Sequence, residues 1–399
     1  MIKFIDELDF DDKRLFLRVD FNVPLDEKLE ITDDNRIRAA LPTVRYAMEN
    51  GARLVVASHL GRPKGEKRPE FSLAPVAERL GLLLDKKVLM APDCIGPDVE
   101  KMVNSLEPGQ VLMLENLRFH KEETQNDPQF ASSLASLCDV YVNDAFAVSH
   151  RAHASVVGVP ERVSVCGAGF LMKNEITYFE KAMKDPERPF LAILGGAKVS
   201  SKLGAIENIL SKVDSLLIGG AMANTFLLAS GYSVGRSMVE KDLVETAKEI
   251  MDRAKQSGTG FFLPVDVVVA EELGPGVSFK AVSVDQVPDD MMIVDIGPGT
   301  VDLFRDEIKK AKTIVWNGPV GAFEIEPFDK GTVEIARAVG SSPALSIIGG
   351  GDTGAAVKKA GESDNVSYIS TGGGAFLTLL EGKELPGFKA LERCASQGS

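Results

Sequence analysis

The chain predicts an α/β protein of two lobes, each a parallel sheet flanked by helices, joined by a hinge helix. Three observations carry this. Short apolar, often β-branched runs alternate with helix-length segments from one end to the other. The length of 399 residues suits about two domains. The residue types also divide: 28 of 37 glycines follow Phe170, whereas 12 of 18 arginines and all four histidines precede it. Glycine loops let backbone N–H groups approach phosphate at helix starts. Arginine forks grip phosphate or carboxylate with side chains. A chain holding both is a candidate for moving a phosphoryl group between two bound molecules.

In the first half the strand candidates are Arg14–Phe21, Arg53–Ser58, Lys87–Met90, Gln110–Leu114 and Asp139–Val142. In the second they are Phe190–Leu194, Ser215–Ile218, Phe261–Pro264, Met292–Asp295, Thr313–Trp316, Ala344–Ile348 and Val366–Ser370. Helices are expected over Arg36–Asn50, Leu73–Leu84 and Leu243–Gln256, among others. The pattern describes two Rossmann-like lobes, residues 1–169 and 170–386, with the tail 387–399 packed back on the first. Phe170–Lys184 places Leu171, Ile176, Phe179 and Met183 near one helical face and reads as the connector.

The net charge of −13 argues against a nucleic-acid or anionic-membrane partner. No basic start followed by a long apolar run is present, so neither a signal peptide nor a membrane span is expected. Cys94, Cys138, Cys166 and Cys394 are scattered without a Cys-x-x-Cys pair. They read as buried thiols of a cytoplasmic protein rather than a disulfide framework or a zinc site.

In open parallel sheets, ligands bind beyond the carboxyl ends of the strands. Asp20 and Asn22 follow the first strand, His59, Leu60, Gly61 and Arg62 the second, and Arg118 the fourth. Arg36 opens a helix and Arg151 follows the fifth strand. A lone arginine is usually solvated, but four at one edge suggest a pocket for a multiply charged small anion. Asp20 and Asn22 suit a substrate hydroxyl. His150 and His153 could share a metal at i, i+3, but no third ligand accompanies them.

In the second half, Gly349-Gly-Gly-Asp-Thr-Gly354 formally fits the dinucleotide fingerprint. Two readings compete. A nicotinamide loop requires an acidic ribose anchor after the next strand, which ends in Ser370-Thr-Gly instead. A Mg-nucleotide loop accounts for Asp352, because a carboxylate that binds Mg²⁺ attracts a phosphate chain that a bare one would repel. Asp352 could equally be a plain helix N-cap. Thr371-Gly-Gly-Gly374 repeats the strand-to-helix glycine run, and Gly195-Gly-Ala-Lys198 with Lys202 places two lysines on one helical face. The P-loop and protein-kinase motifs are absent.

These strings together resemble phosphoglycerate kinases nearly from end to end. The residues that carry the resemblance are Arg18-Val-Asp-Phe-Asn-Val-Pro24, Ser58-His-Leu-Gly-Arg-Pro63, Glu115-Asn-Leu-Arg-Phe119 and His150-Arg-Ala-His-Ala-Ser155. Leu194-Gly-Gly-Ala-Lys198, Trp316-Asn-Gly-Pro-Val320, Gly349-Gly-Gly-Asp-Thr353 and Ser370-Thr-Gly-Gly-Gly374 complete the order. The resemblance implies a monomeric enzyme that moves a phosphoryl group between 1,3-bisphosphoglycerate and Mg-ADP, giving 3-phosphoglycerate and ATP. It implies that Asp20, Asn22, Arg36, His59, Leu60, Gly61, Arg62, Arg118 and Arg151 bind the glycerate substrate. Lys202, Gly297, Asn317, Glu324, Gly350, Gly351, Asp352 and Thr353 are implied for the nucleotide, with Asp352 linked to Mg²⁺ through it. Arg36, Lys198, Gly372 and Gly373 match groups around the phosphoryl in flight. Small departures occur at Ala147-Val-Ser149, Ser201 and Gly354, where the family often has a glycine-led triplet, aspartate and alanine.

Overall fold

The computed structural model describes residues 1–397; residues 398 and 399, the end of the expected tail, lie outside the described residues. The chain divides into two compact units, Met1–Ile176 with Glu384–Ser399, and Thr177–Lys383. The division falls inside a continuous helix, Phe170–Met183.

The first unit is built on a six-stranded parallel sheet. Its strands are β1 (Arg14–Arg18), β2 (Arg53–Ala57), β3 (Val88–Met90), β4 (Val111–Met113), β5 (Val140–Asn143) and β6 (Cys166–Ala168), in the order β3-β4-β2-β1-β5-β6. Leu15, Phe16, Leu17, Leu54, Val55 and Val56 are all fully buried, as expected for strands covered on both faces. Helix Asn35–Glu49 turns Ile37, Ala40, Val44 and Ala47 onto the core, and Ala74–Leu84 does so with Val76, Ala77, Leu80 and Leu84. These spacings of three and four put the apolar residues on one helical stripe.

The second unit begins with β7 (Phe190–Leu194), β8 (Ser215–Ile218) and β9 (Gly260–Phe262). It continues through β10 (Asp266–Ala270), β11 (Phe279–Ser283), β12 (Met292–Ile296), β13 (Thr313–Asn317), β14 (Leu345–Gly349) and β15 (Tyr368–Ile369). Its main sheet is parallel, in the order β15-β14-β13-β7-β8-β9. Trp316, Phe304, Ile335 and Val339 share the core on one of its faces. The expected strand Met292–Asp295 exists but belongs elsewhere: β12 pairs antiparallel with β10, and β10 with β11, in a separate three-stranded sheet. Alternation alone could not reveal this, because β10 follows β9 after three residues and leaves no room for a crossover helix.

One expectation is overturned. Cys94 and Cys138 are buried free thiols, but Cys166 and Cys394 form a disulfide. The C-terminal helix Pro386–Gln397 buries Ala390, Leu391 and Cys394 within the first unit, which brings Cys394 onto β6. A sequence separation of 228 residues hid the pairing. Cys166 and Cys394 are 3% and 1% exposed, which shields both sulfurs from dissolved reductants.

Candidate functional site

In the first unit the carboxyl ends of four adjacent strands, β4-β2-β1-β5, present the polar residues. A cleft of ≈ 430 Å³ is lined by Arg62, Lys64, Gly65, Arg118, His120, Lys121, Thr124 and Arg151. Five of these eight are cations and none is a carboxylate. The structure therefore brings Arg62, Arg118 and Arg151 together. Lys64, His120 and Lys121 are wall residues that the sequence reading missed; Lys121 follows the quoted Glu115–Phe119 string by two residues, which was the available signal.

Asp20, Asn22, Arg36, His59 and Leu60 do not line this cleft but are tied to its wall. Asn22 Oδ1 accepts the Gly61 N–H at 2.8 Å, and the Gly61 carbonyl accepts from Arg118 Nη1 at 2.8 Å. The Asn116 amide holds Leu60 through both its backbone groups, at 3.2 and 2.7 Å. Asp20 accepts from Arg36, and its other oxygen accepts the Asn22 N–H at 3.1 Å. Behind them, buried Arg18 donates to Ser155 Oγ at 2.8 Å and contacts His59 Nδ1 at 3.2 Å. Glu123, fully buried, accepts from both Ser155 Oγ and Ser155 N, at 2.6 and 2.9 Å. Removing Glu123 would strand buried donors, a loss that costs about 1–3 kcal/mol per group.

The positive field of this site has consequences for ionisation. Burial, then the charges of Arg18 and Arg151, lower the Arg118 pKa to about 10. Burial, then Arg18, Arg118 and Arg151, push His153 down to about 3. His59 is held well below the usual histidine range by burial, then by Arg18 and Arg118. His59 and His153 are thus neutral at physiological pH, while the arginines lack a full set of counter-charges. An incoming polyanion would relieve that imbalance.

The second unit contains a cavity of ≈ 300 Å³ with two kinds of wall. One is apolar: Met238, Pro264, Val267, Leu273, Ile293, Val294 and Val320. Met238 and Leu273 are 54% and 52% exposed, so unusually large apolar side chains stand at the surface here. The other wall is backbone-rich, with Gly196, Gly220 and Gly321, and it carries Glu324 and Asp352. The apolar wall escaped sequence reading because apolar residues in and around β10 and β12 look like ordinary core.

The glycine loops are required by close backbone approach. A Cβ at Gly195 would lie 2.1 Å from the Pro319 carbonyl oxygen, where no side chain fits. Thr353 Oγ1 accepts the Gly318 N–H at 2.7 Å and ties the loop after β13 to helix Gly351–Lys359. Lys202 donates to Asn317 Oδ1, and burial lowers its pKa to about 8 while the charge of Asp352 raises it. Lys202, Asn317, Asp352, Thr353 and Gly350 are thereby assembled around one loop cluster. Glu324 and Lys198 are exposed. Gly297 does not line the cavity; it precedes helix Pro298–Lys310, and a Cβ on it would strike Asp266 at 2.4 Å. Gly372 and Gly373 open helix Gly373–Leu380 beside Gly350.

The donor set around Asp352 fits a divalent cation. Asp352 is exposed in the first helical turn, beside backbone N–H groups and a lysine. A single carboxylate next to an anion site suits Mg²⁺, which keeps several waters and takes the rest of its oxygens from phosphates.

The family model described as phosphoglycerate kinase matches residues 5–383. The chain is 57% identical over 392 residues to the phosphoglycerate kinase of Geotalea uraniireducens, covering 98% of each chain. It is 58% identical over 391 residues to that of Desulfotalea psychrophila, covering 98% of this chain and 100% of the relative. A solved phosphoglycerate kinase structure from Coxiella burnetii matches with a TM-score of 0.90 at 43% identity, covering 99% of this chain and 100% of that one.

Proposed function

The chain belongs to the phosphoglycerate kinase family, and from that premise we propose how its two sites divide the reaction. It is a phosphotransferase of glycolysis, moving a phosphoryl group reversibly between 1,3-bisphosphoglycerate and ADP.

The first unit holds the glycerate substrate. Five cations with no carboxylate among them line its cleft, and this observation carries the assignment. Arg62, Arg118 and Arg151 neutralise the non-transferring phosphate. Asp20 and Asn22 orient the hydroxyl, with Arg36 fixed by Asp20. His59, Leu60 and Gly61 position the loop that bears Arg62.

The second unit holds the nucleotide. The base rests against the apolar wall, and Glu324 takes the ribose hydroxyls. Lys202, Asn317 and the Gly350–Thr353 helix start receive the phosphate chain; Gly297, at the start of helix Pro298–Lys310, belongs to the same nucleotide-binding set. Mg²⁺, bound through the nucleotide and Asp352, would offset phosphate charge.

Phosphoryl transfer has a loose transition state and requires positioning and positive charge more than covalent help. The leaving group from the acyl phosphate is a carboxylate and needs no proton. Neutral histidines are therefore no handicap. Arg36, Lys198 and the amides of Gly372 and Gly373 stabilise the group in flight. Substrate groups lie on one unit and nucleotide groups on the other, so transfer requires closure about helix Phe170–Met183, which would also exclude water. The working state is a cytoplasmic monomer without nucleic-acid or membrane partners; among the described residues no helix is long and apolar enough to cross a membrane.

The test is ATP formation from 1,3-bisphosphoglycerate and Mg-ADP in Arg36→Ala and Lys198→Ala. Turnover should fall on the order of tenfold or more, with ADP affinity changed far less. Turnover within about twofold of the parent would remove that residue from its role. Scattering with both ligands should show a smaller radius than the free protein, and an unchanged radius would exclude closure.

A further inference from the structure

We propose that Asp93, Cys94 and His120 form a binding site for a borderline-soft divalent cation of the zinc class. Three donors of different chemistry converge there: a carboxylate oxygen, a sulfur and an imidazole nitrogen all lie within 4.8 Å of one another. They come from two chain segments, the loop after β3 and the loop after β4. Neither the substrate chemistry nor the nucleotide chemistry uses this grouping.

The imidazole is already aimed. His120 Nε2 stands 2.7 Å from Asp93 Oδ1, and its ring packs on Phe130 with centroids 5.2 Å apart. Asp93 Oδ1 is held in turn by the Cys94 N–H at 2.7 Å. In a tetrahedral zinc site, metal–ligand bonds of about 2.0–2.3 Å put neighbouring donors roughly 3.2–3.8 Å apart. The His120–Asp93 pair, now 2.7 Å apart, would have to open to that distance. A cation then takes the place of the proton shared by His120 and Asp93. The Cys94 thiol binds as thiolate and gives its proton to solvent.

The donor set selects the metal. Mg²⁺ and Ca²⁺ take all-oxygen ligands, whereas mixed nitrogen, sulfur and oxygen donors suit Zn²⁺ or Co²⁺. Access is one-sided. The side chains of His120 and Asp93 are 26% and 37% exposed, while Cys94 forms the closed floor. Three protein donors with solvent on the remaining side describe an open site rather than a closed structural one. Lys67, whose ammonium donates to the Pro92 carbonyl at 2.8 Å, is a positive neighbour and weakens the attraction. His120 also lines the cationic cleft, so occupancy of the cluster would be felt at its wall.

The experiment is a Co²⁺ titration of the full-length, unreduced protein, followed by the near-ultraviolet thiolate-to-cobalt band, with Zn²⁺ added last. The parent should develop the band and lose it to Zn²⁺. Cys94→Ala should abolish it, His120→Gln and Asp93→Asn should weaken binding at least about tenfold, and Cys138→Ala should leave it intact. No band in the parent, a band that survives Cys94→Ala, or affinity unchanged in both His120→Gln and Asp93→Asn would overturn the proposal. Should Cys94→Ala fail to fold, the two variants at half-exposed positions decide it alone.

Discussion

Gly373 lies against Gly350: a Cβ on Gly373 would sit 2.8 Å from the Gly350 Cα. The starts of helices Gly351–Lys359 and Gly373–Leu380 are thus locked backbone to backbone, and two sets of helix-end N–H groups share one neighbourhood. Gly373→Ala should push them apart. Because displacements near 1 Å can cost on the order of 100-fold in rate, turnover should drop at least about tenfold while the circular dichroism spectrum is retained. Parent-like turnover in Gly373→Ala would show that the contact does not set the phosphate geometry.

His59 and His153 should remain neutral in the folded protein well below the ordinary histidine range. Both are depressed by burial first and by neighbouring arginines second. The sign follows from linkage. The unfolded chain binds protons below its value of 6.5, whereas folded His153 resists until about 3. His153 therefore contributes stability that is complete above pH 6.5 and is lost as the pH falls towards 3, and His59 acts in the same direction. Assigned imidazole NMR signals of His59 or His153 titrating near 6 in the native state would contradict this.

Asp144 should act in the opposite direction. It is 1% exposed, accepts the Met172 N–H at 3.0 Å at the start of helix Phe170–Met183, and burial raises its pKa to about 7. Between 3.8 and about 7 the folded state holds a proton that the unfolded chain has released, so this contribution to stability declines as the pH rises through that window. Asp144→Asn should flatten the slope of unfolding free energy against pH there, measured by urea titration. An unchanged slope would assign the pH dependence to other groups, including Asp295, which burial also raises to about 7.

The Cys166–Cys394 bridge should contribute substantially to the first unit. In the chain-entropy account, cross-links closing long loops stabilise by about 2–4 kcal/mol. The double variant Cys166→Ala/Cys394→Ala should therefore unfold at lower urea, and reductant should have no further effect on it. Equal stability of parent and double variant would show that helix packing alone holds the tail.

The parallel sheets were legible because strands such as Phe190–Leu194 are apolar at every position, a pattern that only two-sided burial requires. The small antiparallel sheet was not. Its edge strand β11 is largely exposed and shows no apolar alternation, so nothing in Phe279–Ser283 marks it. Charged and glycine-rich site residues announced themselves because burying or clustering such groups is costly without a purpose. Leu273 and Met238 did not, since an apolar residue carries the same signature in a core and in a ligand wall. Ser155 and Arg18 stood within the quoted strings, but their joint dependence on Glu123 is a three-dimensional fact. The disulfide depended on where the last helix lands, which no local pattern encodes.

The strand orders also have a consequence for biosynthesis. In the first unit all six strands have been synthesised once Ala168 is made, yet the helix that covers β6 begins only at Pro386. In the second, β7 must wait for β13 before one of its edges is paired. Throughout elongation the nascent chain therefore carries unpaired strand edges and an uncovered apolar face. Chaperone capture of ribosome-bound chains should peak before the last helix emerges; capture that is complete before Thr313 is translated would argue against this order of assembly.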